Sequence, residues 1–76
     1  MEQNEPIVLH LFSLVFGHEC RLEDDRESLG DWTSLRHLQL VLAMEEQFEL
    51  EIDPEIVPDL RSVRDFVALA GTRSRK

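Results

Sequence analysis

Apolar residues return at helical spacing in three stretches of this chain, and polar runs separate them. Ile7, Val8, Leu11, Phe12 and Val15 predict a first helix over residues 5–16 with one broad apolar face. Asn4 is its expected N-cap, Pro6 suits the first turn, and Gly17 marks its end. The second stretch, 34–48, has no Gly or Pro and is rich in helix formers. Its apolar residues are too many for one stripe. Leu40, Val41, Met44 and Phe48 make one face, and Leu35, Leu38 and Leu42 make a second, edged by Gln39, Glu45 and Glu46. A domain this small is not expected to bury both, so the second face reads as a docking surface. The competing reading is a central helix packed on most sides.

Between these helices, residues 18–33 follow no period, crowd Glu23, Asp24, Asp25 and Glu27 together, and end near Gly30. A loop of this length in a compact domain points to a functional role. Leu22 and Leu29 are its expected anchors to the core. Farther on, Asp53-Pro54-Glu55 signals a helix start and Pro58 a stop, which predicts a short third helix around residues 55–57. A last helix begins near Ser62, with Ser62 and Asp65 spaced as a capping box and Gly71 as its end. Residues 72–76 form an expected basic tail. Only the short 48–52 run alternates with period two. The fold class is all-α: a four-helix bundle of three longer helices and a short third one, with a long loop between the first two. The core is assigned to Ile7, Leu11, Val41, Met44, Phe48, Val63, Phe66 and Val67.

The chain has 76 residues, room for a single domain with its core over about 5–71. A domain of this size buries only about 60% of its unfolded surface, too little for a deep catalytic pocket and its supporting shell. The formal net charge is −8. Three of the eight basic residues, Arg73, Arg75 and Lys76, lie in the last four positions, which leaves five against 16 acidic ones elsewhere. Such a field repels nucleic acid. It attracts partners with basic patches and speeds their encounter, besides keeping a small monomer soluble. The single cysteine, Cys20, rules out a disulfide framework within the chain. The acidic start 1–5 lacks the basic character of a secretory leader, and the apolar runs are too short to span a membrane, so a cytoplasmic setting is expected.

Ser34 stands where the long loop meets the strongest helix, in Gly30-Asp31-Trp32-Thr33-Ser34-Leu35. A phosphate ester there would meet free backbone N–H groups and the positive end of the helix dipole. Alternatively, Ser34 or Thr33 serves only as the helix cap. Beyond Ser34-Leu35 come Leu38, the run Leu40-Val41-Leu42-Ala43-Met44-Glu45-Glu46 and then Phe48-Glu49-Leu50-Glu51-Ile52. This pattern resembles the acyl carrier protein family over about residues 7–71. In that family Asp-Ser-Leu opens the second helix and Glu-Glu-x-Phe closes it, as Glu45-Glu46-Gln47-Phe48 does here.

The resemblance implies that Ser34 receives 4′-phosphopantetheine from coenzyme A. A separate phosphopantetheinyl transferase makes that attachment, and its magnesium belongs to the transferase. The thiol of the arm would hold acyl groups as thioesters for enzymes that load and accept them. The resemblance also assigns Leu35, Leu38, Gln39, Leu42, Glu45 and Glu46 to partner docking, the face reached above from apolar surplus. The chain itself would be a carrier and not an enzyme. It departs from the family pattern at Thr33, which stands where Asp is usual, and at Arg36 and His37, which would make the base of the arm more basic. With Trp32 the motif is similar to the Trp-x-Ser-Leu variety of discrete carriers, which serve specialised metabolism such as the preparation of polyketide extender units. Peptidyl carriers tolerate other residues before the serine, so an aminoacyl or peptidyl carrier is the nearest alternative.

Three further readings compete. Ser34, His37 and Asp31 could form a hydrolytic triad, with Ser34 and His37 one helical turn apart, but no Gly-x-Ser-x-Gly elbow is present. His18 and Cys20 could begin a metal site, but no second pair completes four ligands, and His10 reads as a rim residue. An acidic helical interaction module would share the length, charge and apolar face, without needing a serine at position 34.

Overall fold

The computed structural model describes residues 4–73. These residues form α1 (Asn4–Phe16), α2 (Ser34–Phe48), a 3₁₀ turn (Val57–Asp59) and α3 (Val63–Arg73), a small all-helical globule. Among them there is no strand, including over 48–52; the one isolated bridge pairs Asp25 with Ser62. Helix α1 packs against both α2 and α3.

Helix α1 follows its apolar period, burying Val8, Leu11, Phe12 and Phe16. Asn4 lies inside the helix and does not cap it. Gly17 ends it with φ +80°, in the left-handed region where a missing Cβ removes the steric cost, and its N–H donates to Ser13 O at 2.8 Å. Helix α2 has the expected bounds. Its C-cap, Glu49, also takes a left-handed conformation (φ 54°), and its N–H donates to Glu45 O. In α3, Ser62 Oγ accepts from Asp65 N at 3.1 Å, as the capping box requires. The Asp65 carboxylate reaches back one residue farther than the motif expects, to Arg61 N at 2.9 Å. Gly71 does not stop α3, which continues to Arg73, so Thr72 and Arg73 are helical where the tail was expected. Residues 74–76 lie outside the described residues.

The short third helix is reduced to a 3₁₀ turn. Pro58 sits within its first positions, where a missing N–H costs nothing, and so does not end it. Asp53 starts the segment as expected, its Oδ1 accepting from Glu55 N at 2.9 Å.

The core is aromatic at its centre. Phe12 and Phe66, both fully buried, meet edge to face with centroids 5.3 Å apart. Trp32 stands edge-on to Phe12 at 5.4 Å and to Phe16 at 5.8 Å. Leu11, Val41, Met44, Val63 and Phe66 are buried as expected, whereas Ile7, Phe48 and Val67 are only half-buried. Their places are taken by Phe16, Cys20, Leu29, Trp32, Leu40, Ile52, Leu60 and Ala70. Leu29 anchors the long loop as expected, and half-buried Leu22 also packs against the core. The bridge at Asp25 fixes the same loop to α3: Val63 N donates to Asp24 O and Arg26 N to Arg61 O.

Candidate functional site

Which hydroxyl caps α2 is decided by backbone geometry. Thr33 is extended (φ −90°, ψ 172°), and its side chain accepts from Arg36 N at 3.2 Å. That leaves the Ser34 hydroxyl free of the capping role, on an exposed first residue of the helix. Ser34 opens on a shallow groove of about 470 Å³, which it lines with His37 and Leu38 of α2, Arg26 of the loop, and Pro54, Val57 and Pro58 opposite. Its walls are mostly apolar. The one cation on it, Arg26, has no carboxylate partner among the described residues.

The two basic residues after Ser34-Leu35 are both engaged within the fold. Arg36 folds back over the Phe16 ring, 5.7 Å from its centroid, and donates to Asp31 O at 3.0 Å. His37 is buried. Trp32 Nε1–H donates to its Nδ1 at 3.0 Å, and its Nε2 faces Val57 O at 2.7 Å. Indole is only a donor and a carbonyl only an acceptor, so the ring carries its proton on Nε2. Both nitrogens are thereby committed, and Ser34, His37 and Asp31 do not assemble into a triad. Asp31 instead meets His18, Oδ2 to Nε2, at 3.0 Å.

The His18–Asp31 pair is exposed and ties the two ends of the loop. His18 Nδ1 faces Glu19 O at 3.1 Å. That carbonyl first, and then the Asp31 carboxylate, raises the His18 pKa above its ordinary 6.5. The hydrogen bond to His18 holds Asp31 below its ordinary 3.8. Cys20 is buried beside this pair, and desolvation pushes its thiol upward, away from the thiolate needed for metal or nucleophilic work. Among the described residues, no group of three or more His, Cys, Asp or Glu side chains converges as a metal site. His10 is an exposed rim residue in the body of α1.

The second apolar face of α2 is left open. Leu35, Leu38 and Leu42 are 66%, 54% and 62% exposed, and Gln39 and Glu46 are exposed beside them. Glu45 departs from this group. It is half-buried, and its Oε2 accepts from Ile52 N at 2.9 Å, closing the chain reversal after α2.

A 3.6-residue count would have found His37, which lies three, four and seven positions before Leu40, Val41 and Met44. Arg26 carries no comparable signal, since only the Asp25–Ser62 bridge brings it to the groove. Among the described residues, no helix is long and apolar enough to cross a membrane. Comparison of the chain with protein-family models, with curated proteins and with solved structures finds no match in any of the three.

Proposed function

We propose that this chain is an acyl carrier protein bearing 4′-phosphopantetheine on Ser34. The observation that carries the reading is the division of labour at the start of α2: Thr33 caps the helix, and Ser34 is left exposed at the edge of a groove, its hydroxyl not used as the cap. An attachment serine must be reachable by a transferase, and Ser34 is exposed while Thr33 takes the capping role. The residues present fit the group. Ser34 offers the ester oxygen, Arg26 offers a cation for the phosphate, and Leu38, Pro54, Val57 and Pro58 offer apolar contact beside it. When bound, the arm supplies the thiol that holds acyl groups in thioester linkage.

On this reading the fold is the four-helix carrier bundle with its third helix shortened to the 3₁₀ turn. The chain needs no catalytic pocket, because a separate phosphopantetheinyl transferase and the loading and accepting enzymes supply the chemistry. Leu35, Leu38, Gln39, Leu42 and Glu46 form the docking face, which buries apolar area against a partner while the acidic field steers a basic patch toward it. Cargo from fatty-acid, polyketide or aminoacyl pathways suits the same arm.

Intact-protein mass spectrometry tests the reading, after incubation with coenzyme A, magnesium and a broad-specificity transferase. The expected result is a gain of one phosphopantetheine unit, absent in Ser34→Ala. If several transferases give no gain, and Thr33→Asp does not restore it, the carrier reading is wrong. The three open leucines would then favour an acidic helical interaction module.

A further inference from the structure

We propose that His37 is a positioning residue that latches one wall of the Ser34 groove. That wall is a strap. Its ends are anchored by the buried Ile52 and Leu60, and the 3₁₀ turn between them contains no buried residue. Ile56 and Val57 are only half-buried where they touch the core. Among the described residues, the hydrogen bonds of segment 53–59 are internal to it or run to Leu60, with one exception: Val57 O accepts from His37 Nε2 at 2.7 Å. A segment with so little burial opens locally at low cost, so a single outward bond weighs heavily in how often it opens.

His37 is built for that task. It stands one turn along α2 from Ser34 and lines the same groove. Its other nitrogen accepts from Trp32, two residues before Ser34 in the junction that leads into the helix. The ring therefore joins two segments at once, the loop-to-helix junction through Trp32 and the groove wall through Val57. Trp32 and Phe66 pack about the buried ring, with centroids at 5.8 and 6.0 Å. The latch does not depend on the carrier reading. If that reading holds, the latch sets the space available where the arm leaves Ser34.

Amide hydrogen exchange on the unmodified full chain tests this, comparing wild type with His37→Phe and His37→Gln. Phenylalanine keeps the ring and loses both hydrogen bonds. Glutamine can accept from Trp32 with its oxygen and donate to Val57 with its nitrogen. The amides of Ile56, Val57, Asp59 and Leu60 close the turns of the strap and report its opening. In His37→Phe they are expected to exchange about tenfold faster, the scale of one net hydrogen bond. The amides of α1 and α3 should hold their rates, and His37→Gln should recover most of the strap protection. Unchanged strap exchange in His37→Phe, or acceleration that is uniform across all three helices, overturns the latch, as does failure of glutamine to rescue a folded protein. Mass gain at Ser34 is read separately, so loss of the carrier reading leaves this result standing.

Discussion

Leu40 and Leu42 lie two residues apart in one helix, yet Leu40 is fully buried and Leu42 is 62% exposed. Helix α2 has two apolar faces, and among the described residues only the one with His37, Leu40, Val41 and Met44 is covered. The other, Leu35, Leu38 and Leu42, forgoes burial that stabilises a leucine by about 1.5–3 kcal/mol when complete. The same residue type thus serves folding on one side and stays exposed on the other. The distinction follows from position around the helix and not from composition.

The largest effect that could break this comparison is on stability. Met44→Ala should destabilise the fold by about 2–5 kcal/mol, through lost burial and a residual cavity. Leu42→Ala should stay within about 0.5 kcal/mol, as an exposed substitution does. Chemical denaturation of the two variants decides it, and comparable losses would mean that the second face is not free. A smaller contrast separates the two neighbouring glutamates. Glu45→Ala leaves the Ile52 N–H without its partner and should cost about 1–3 kcal/mol, while Glu46→Ala should leave the denaturation midpoint nearly in place. Equal midpoints would show that the Glu45–Ile52 hydrogen bond contributes nothing.

The smallest effect concerns the loop opposite that helix and depends on pH. The His18 pKa is raised on folding, so its contribution is present in full below about 6.5 and fades as pH rises through the higher folded value. The Asp31 pKa is lowered, so its contribution is present above about 3.8 and fades as pH falls through the lower folded value. Between those limits both partners are charged. The stability gap between wild type and His18→Ala should accordingly be wider at pH 5 than at pH 8.5. Thermal melts at the two pH values measure it, and a gap that does not narrow would show that the exposed pair contributes nothing.

The parts of this molecule that local periodicity controls were legible in the sequence. The bounds of α2, its two faces and the end of α1 at Gly17 follow from spacing and turn chemistry alone. Where long-range packing decides, the sequence was mute or misleading. Trp32 belongs to no periodic run and was not among the expected anchors, yet the loop carries it into the core along with Leu29. Pro58 reads as a stop, yet a 3₁₀ turn accepts it near its start. The role of Glu45 depends on the reversal at Glu49 that brings Ile52 N back within reach, seven residues along. His37 was hidden by its type, since a histidine flanked by Arg36 and Leu38 is easily read as part of a polar surface. At the site, the sequence singled out Ser34 but could not say whether it or Thr33 would cap the helix. The extended backbone of Thr33 made that choice.

Asn4, at the start of α1, and Gly71, near the end of α3, are spatial neighbours: a methyl group at Gly71 would meet Asn4 Nδ2 at 3.6 Å. Among the described residues, the first turn of α1 and the last turns of α3 therefore meet. A polypeptide entering at one of these points and leaving at the other would do so side by side. The entropic cost of tethering two adjacent points grows only slowly with the length of a connecting loop. The topology is in that sense modular, able to sit as a closed bead on a longer string or to have its connectivity rewired there without pulling the bundle apart.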